Sequence, residues 1–435
     1  MNTELMEIKN GTLYYDGCDL TEIAANYGTP VYVYSQNVIK SRIRELKEAF
    51  TEKYPKNRIA YACKAFCCTA MFRLLQKEGI CADVVSGGEL YTAIKAGFPA
   101  ECLEFNGNNK SRGELELAVE YGIGRVIIDS LQELEMLEKV CAEKEKKMKV
   151  LFRITPGVKA DTHDYIVTGK KDSKFGIPLD DDIILPYVKA ALDSEYVEFV
   201  GLHFHIGSQL FENDGYLAAL DQTLALAEKI HSEYGFWIKE LNFGGGFGVT
   251  YTTEERKPFS FFLDPLRENV EAFAMENGFE MPALVIEPGR SIVGEAGITL
   301  YTVGSTKDIP GLRNYAAVDG GMTDNIRPAL YGAEYAAKVA NNADAAADKV
   351  VTICGKCCEG DSDMIIRDSK FADPKTGDII AVFSTGAYGY SMANNYNRNP
   401  IPGVVLVEKG KAEWMVKPQT YEQMICCDVM PESLK

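Results

Sequence analysis

The run RIAYACKAF, Arg58 to Phe66, decides how the chain is read. Apolar or small residues fill positions 59–63, too short a stretch for a helix and bounded as a buried strand would be, and Lys64 stands at its carboxyl end. Upstream, Ile39, Ile43, Leu46 and Phe50 recur at helical spacing behind Ser35, a suitable N-cap. Downstream the same strand signal returns seven times: CADVVS (81–86), CLEFNG (102–107), RVIIDS (125–130), KVLFRIT (149–155), VEFVGLHFHI (197–206), KELNFGG (239–245) and ALVIEPG (283–289). Helical stretches such as ELELAVEYG and LQELEMLEKVCAEKEKK separate them.

Eight strands alternating with helices predict an α/β fold, a (β/α)8 TIM barrel, which typically needs about 250 residues. The competing open doubly wound sheet calls for a glycine-rich fingerprint after the first strand, and Ala-Cys-Lys-Ala does not supply one. Beyond Arg290 the segments GITLYTVGS, NYAAVDGG, KVVTICGK, DIIAVFSTG and GVVLVEKGKAEWMVK are strand-like without long helices between them. They predict a separate carboxyl-terminal β-sandwich or β-barrel domain. The amino-terminal GTLYYDGCDL is also strand-like and is expected to pair into it. The division is therefore a barrel over 35–290, with 1–34 and 291–435 forming the β domain; ANNADAAADK (340–349) reads as a surface loop or short helix.

Composition narrows the function. The 435 residues carry 46 Lys and Arg against 63 Asp and Glu, a net charge of -17, which opposes nonspecific binding to nucleic acid. The start MNTELMEIKN has no basic segment followed by an apolar core, and no later apolar run approaches the roughly 18 residues of a membrane span, so a cytoplasmic protein is expected. The 12 Cys include adjacent pairs at 67–68, 357–358 and 426–427, which suit a reducing compartment. Cys354-Gly-Lys-Cys357 lacks a second such pair and the chain has four His, so no metal is expected.

Unusual polar residues collect at the carboxyl ends of the strands, the rim on which barrel enzymes build their sites: Lys64, Asp83, Asn106, Arg153, His205, the run Gly244-Gly245-Gly246, and Glu287 with Arg290. Lys64 in an apolar strand end is either a lysine that snorkels to the surface or a buried amine, and burial would lower its pKa and suit it to Schiff-base formation. The glycines are either an ordinary turn or, with the planar fork of Arg290, a phosphate cradle. Glu287 either pairs with an arginine or keeps a pyridine nitrogen protonated. His203 and His205 alternate in a strand and are expected to point the same way; stacking of His205 on a flat cofactor is favoured over metal ligation for want of further ligands.

These residues belong to a longer series of motifs, in order: YACKAF (61–66), DVVSGGEL (83–90), FNGNNKS (105–111), HDYIVTG and DSKFG within 163–176, GLHFHIGSQ (201–209), LNFGGGFG (241–248), EPGRS (287–291), VDGGMTDNIRPALYG (318–332), CCE (357–359) and GAYGYSMANNYN (386–397). The series resembles the fold type III pyridoxal-phosphate decarboxylases, in the branch that acts on diaminopimelate, from about Gly11 to Asn397. The resemblance implies pyridoxal 5'-phosphate carried as an imine on Lys64, with His205 stacked on the ring and Glu287 facing its nitrogen. It places Ser208, Gly244, Gly245, Gly246, Gly289, Arg290 and Tyr388 around the phosphate. It assigns Arg290, Arg327, Tyr331, Glu359 and Tyr388 to the substrate, and Cys358 to proton donation from the partner subunit of a homodimer, with Glu359 beside it. The family reads Cys-Glu-Ser-Gly-Asp where this chain has Cys358-Glu359-Gly360-Asp361-Ser362-Asp363, so the counterpart of that Asp stays open between Asp361 and Asp363.

The implied reaction is decarboxylation of meso-2,6-diaminopimelate to L-lysine and carbon dioxide, the last step of lysine biosynthesis, with Cys358 or the freed Lys64 returning a proton. Relatives acting on carboxynorspermidine, arginine, ornithine or lysine are the alternative. Arg290 and Arg327 favour a substrate with a second carboxylate, since a buried arginine left unpaired is costly. A chemically silent binding protein would have no need of Lys64, Glu287 and Arg290 together, and alanine-racemase-like chemistry fits the EPGRS, CCE and IRPALYG segments poorly.

Overall fold

The computed structural model describes residues 5–157 and 173–435; the HDYIVTG motif lies outside them. The chain divides into two compact units. One contains the described residues of Ser41–Val249 together with Arg256–Ile292. The other contains the residues through Lys40, Thr250–Glu255 and Val293–Lys435. The short Thr250–Glu255 stretch lies inside the 35–290 span assigned to the barrel from sequence, yet it groups with the sheet unit.

The first unit is a closed parallel barrel of eight strands: β1 (Arg58–Ala62), β2 (Cys81–Val84), β3 (Leu103–Phe105), β4 (Arg125–Ile128), β5 (Met148–Thr155), β6 (Val197–His203), β7 (Glu240–Asn242) and β8 (Ala283–Ile286). Each pairs with its sequence neighbour, and Val285↔Arg58 joins β8 to β1 to close the ring. Every barrel strand expected from sequence is present, and all but β5 are shortened at the rim end, where the polar residues begin.

The helices between strands start where side chains can cap them. Ser86, Ser111 and Ser130 accept from the backbone N–H three residues on, and Ser111 with Glu114 forms a full capping box. Gly79 and Gly97 stop two helices in the left-handed conformation, which costs glycine nothing. Ser35 Oγ accepts from the Val38 N–H at 3.2 Å, as its N-cap reading predicts for the helix Gln36–Leu46.

The second unit is built around a nine-stranded sheet. Strand Val31–Ser35 lies between Gly297–Ile309, antiparallel to it, and Gly403–Glu408, parallel to it. GTLYYDGCDL lies in this unit but outside its nine-stranded sheet: Met6–Lys9, Thr12–Tyr15 and Cys18–Asp19 form their own three-stranded antiparallel sheet. They are short, and the turns at Asn10 and Gly11 and at Asp16 and Gly17, all with positive φ, fold them back on one another. Among the described residues no helix is long and apolar enough to cross a membrane.

Candidate active site

The barrel rim brings most of the sequence-derived candidates together. Lys64 sits in a single tight turn, Cys63–Ala65, directly after β1. Tyr61 OH donates to Phe66 O at 2.9 Å across that turn. The loop after β8 closes on it: the Ala62 N–H donates to Pro288 O, and a Cβ on Gly289 would stand 3.1 Å from both Ala62 and Ala65. Of the two readings of Lys64, the structure has the surface one, with the residue exposed. Its charge is nevertheless felt by Asp83, Glu89 and His205, so the amine stands over the rim.

Glu287 follows β8 and is the hub of a buried polar network. His203 Nε2 lies 3.0 and 3.1 Å from its two carboxylate oxygens, while Asn106 and Asn242 donate to Oε1 at 3.0 and 2.8 Å. Burial opposes ionisation of Glu287, but His203 and a hydrogen bond from Glu104 outweigh it and hold the carboxyl well below its ordinary range. Asp83 on β2 and Glu104 on β3 lie in the same cluster, all three carboxylates within 4.8 Å of one another. Burial, and then the Glu287 charge, push both well upward. Three acids at that spacing oppose one another's ionisation, and the shifts favour the charge on Glu287.

The two histidines do not act alike. Strand β6 ends at His203, so the strand alternation stops before His205, which is half-buried in the following loop. Burial, followed by the positive charges of Lys64 and Arg153, pushes the His205 imidazole well below its ordinary range, leaving a neutral ring. Ser208, in the same loop, accepts from Arg290 Nε and Nη2 at 3.2 and 3.1 Å. The triple glycine lies between these partners. A Cβ on Gly244 would come 2.7 Å from Phe204 O, on Gly245 2.1 Å from Glu287 O, and on Gly246 2.4 Å from Gly207 O.

The remaining candidates lie on the sheet unit, in three loops that bond to one another. Arg327 opens the short helix Arg327–Tyr331 and is buried, its Nη1 donating to Tyr335 OH at 2.6 Å and Tyr251 OH at 3.0 Å. Among the described residues those two neutral phenols are its hydrogen-bond partners, and their rings flank the guanidinium at 5.8 and 5.1 Å. Tyr331, half-buried, ends the same helix, which packs against Asp361–Asp363. Cys358 and Glu359 are exposed; the Cys358 N–H donates to Asn397 Oδ1 at 2.7 Å, and Tyr396 OH donates to Glu359 Oε2 at 3.2 Å. Tyr388, half-buried, adopts a positive φ of 60°. Asp363 ties the loops together, accepting from the N–H groups of Met322 at 2.6 Å and Cys357 at 2.8 Å, whereas Asp361 is exposed.

Comparison with known proteins points the same way. Residues 39–294 match the family model described as "Pyridoxal-dependent decarboxylase, pyridoxal binding domain". The diaminopimelate decarboxylase of Bacillus subtilis is 49% identical over 423 residues, 97% of this chain and 96% of that protein. The chain belongs to the diaminopimelate decarboxylases, within the pyridoxal-dependent decarboxylase family. The M. jannaschii family member, solved in complex with L-lysine, is 36% identical with a TM-score of 0.93, covering 100% of this chain and 99% of its own. A Vibrio vulnificus lysine/ornithine decarboxylase complexed with putrescine shares the fold at 22% identity and a TM-score of 0.76, over 90% of this chain and 97% of its own.

The rim fits the pyridoxal group of this decarboxylase family by the chemistry of its donors. An amine open to approach, a carboxylate held ionised, a neutral imidazole, and a guanidinium resting on a hydroxyl stand on adjoining loops. Sequence reasoning missed Glu104, Asn242, Tyr251 and Tyr335. A charged residue between Leu103 and Phe105 was a signal for Glu104; the two tyrosines carry none, since their role depends on where Arg327 lies. The motif residue Lys110 turns out to brace loops instead, donating to Gly107 O, Ile127 O and Glu133 Oε1 at 2.7–2.8 Å.

Proposed function

We propose that this chain removes one carboxyl group of meso-2,6-diaminopimelate as carbon dioxide and leaves L-lysine, the last step of lysine biosynthesis, using pyridoxal 5'-phosphate held at the barrel rim. The observation that carries the choice of substrate is Arg327: a buried guanidinium whose described hydrogen-bond partners are two neutral phenols calls for an anion. A diamine-forming relative acting on ornithine or lysine has only an ammonium at the distal end of its substrate and would leave that charge unanswered.

Lys64 would hold the cofactor, its exposed amine open to an aldehyde. His205, as a neutral imidazole, would stack on the ring, and Glu287 would keep a proton on the ring nitrogen. Ser208, Gly244, Gly245, Gly246, Gly289, Arg290 and Tyr388 would hold the phosphate. When bound, pyridoxal phosphate supplies the conjugated ring that accepts the electron pair of the broken carbon–carbon bond. The side chains choose the bond: Arg290, Arg327, Tyr331, Glu359 and Tyr388 fix the distal carboxylate and ammonium, so that one α-carboxylate alone is set to leave. Cys358 Sγ, or the freed Lys64 Nζ, returns the proton to the α-carbon.

The active form is a homodimer in which Cys358 and Glu359 serve the site of the second copy; their exposure on the sheet unit supports that reading. The deciding experiment offers the purified holoenzyme meso-diaminopimelate, lysine, ornithine, arginine and carboxynorspermidine separately and measures carbon dioxide release, with Lys64→Ala as control. Release from meso-diaminopimelate alone, lost in the control, is expected. Preference for any other substrate overturns the assignment, and unchanged turnover in the control overturns the mechanism.

A further inference from the structure

Cys81 opens β2 and Cys102 immediately precedes β3. The two strands pair in parallel with Ala82 opposite Leu103 and Asp83 opposite Glu104, so Cys81 and Cys102 are the next pair in line. Adjacent strands lie about 4.8 Å apart, and disulfides form across Cα separations of roughly 4.4–6.8 Å, so the backbone already has the spacing a cross-link needs. Both thiols are half-exposed, and each shifts the titration of the other. The guanidinium groups of Arg58 and Arg125, which anchor on Glu240 at the same end of the barrel, act on Cys102 from one side.

We propose that Cys81 and Cys102 form a redox-reactive dithiol at the amino-terminal end of the barrel, closed to a disulfide by a peroxide and reopened by a thiol reductant. Cys102 is the attacking sulfur. The neighbouring Cys81 thiol lowers its pKa to about 7, against burial and Glu101 and with help from Arg125 and Arg58, whereas Cys81 is driven upward. The Cys102 thiolate attacks one peroxide oxygen, the O–O bond breaks, and the second oxygen leaves as water. The Cys81 thiol then attacks the sulfenic sulfur, its proton leaving with the hydroxyl as a second water. Two thiols and one hydrogen peroxide thus give one disulfide and two waters. No such pairing is available to Cys18, Cys68 or Cys141, which are buried, while the adjacent Cys426 and Cys427, sulfurs 3.8 Å apart, are the internal comparison.

The test uses the full-length holoenzyme. It is treated with stepwise hydrogen peroxide at neutral pH, quenched with N-ethylmaleimide, digested without reductant and mapped by mass spectrometry. A linked peptide pair joining Cys81 to Cys102, 2 Da lighter than the two thiol peptides and released by dithiothreitol, is expected before any other disulfide. In parallel, iodoacetamide labelling of the untreated enzyme against pH should show Cys102 reacting with a midpoint near 7, shifted upward in Cys81→Ala, which has no donor. Alkylation of both cysteines after oxidant has consumed other thiols overturns the proposal, as does a Cys102 midpoint that Cys81→Ala leaves in place.

Discussion

Replacing Glu287 by glutamine and by alanine separates its charge from its place in the network. In the wild type Oε1 accepts from His203, Asn106 and Asn242, Oε2 receives the longer approach of His203, and Glu104 also favours the ionised carboxylate. A carboxamide keeping its oxygen at Oε1 retains both asparagine bonds and turns an N–H toward His203. The loss is one hydrogen bond to a charged group, about 1.5–3 kcal/mol. Alanine leaves His203, Asn106 and Asn242 without this acceptor. At about 1–3 kcal/mol each, that approaches the whole stability of a domain, roughly 5–15 kcal/mol. Glu287→Gln should therefore fold, with a lower melting temperature, while Glu287→Ala should be largely insoluble. Removing the charge that holds a proton on the ring nitrogen should slow decarboxylation by about 10²–10³-fold, the scale seen when one electrostatic partner of a reacting centre is deleted. The assays are carbon dioxide release at saturating substrate, thermal unfolding of the cofactor-free protein, and the absorption spectrum of bound cofactor against pH. A Gln variant that retains cofactor and turns over within threefold of wild type would refute the role given to Glu287. An Ala variant as stable as the Gln variant would refute the network.

Three further outcomes follow from the geometry. Asp324, buried beneath Tyr301 and the Gly321 N–H, is raised by burial to about 7 from an ordinary 3.8, so the folded state loses stability as pH climbs between those values and is level above about 7. Asp324→Asn cannot titrate, and its melting temperature should rise relative to wild type across that window, by a difference on the order of 4 kcal/mol between pH 4 and 8; a pH-independent difference would contradict this. Substituting both Tyr251 and Tyr335 by Phe strips Arg327 of its described hydrogen-bond acceptors, so KM for meso-diaminopimelate should change by about tenfold with kcat less affected; equal kcat and KM effects would place the tyrosines elsewhere. Mixing Lys64→Ala with Cys358→Ala chains, each inactive alone, should restore about a quarter of wild-type activity if a site draws on two copies, and none if it is complete within one chain.

Much of this fold was legible from strand length and spacing alone, because each barrel strand pairs with its sequence neighbour and is set off by a helix with a capping residue. Val31–Ser35 was not. It is fully buried, so no polar alternation marks it, and its partners Gly297–Leu300 and Gly403–Val407 lie more than 260 residues away. The rim residues were legible as polar interruptions at strand ends. Depth was not: period-two alternation assigns a residue to a face, but it cannot tell that Glu104, Asp83 and Glu287 converge within 4.8 Å, or that Arg58 and Arg125 share Glu240. Lys64 stayed open between a surface and a buried reading for the same reason, since an apolar strand end does not reveal that the next residue turns outward.

The triple glycine illustrates how a motif earns its reading indirectly. The shortest Cβ clash at each of Gly244, Gly245 and Gly246 is with a neighbouring rim loop: Phe204 O and Gly207 O from the loop after β6, and Glu287 O from the loop after β8. These contacts account for glycine at all three positions without any ligand, so glycine content by itself says nothing about phosphate. What the absent side chains permit is the approach of the β6 and β8 loops on either side of the β7 turn, and on those loops stand Ser208 and Arg290, 3.1 Å apart. The proposed phosphate site would thus rest on Arg290 and Ser208, and the glycines contribute by letting those two loops meet.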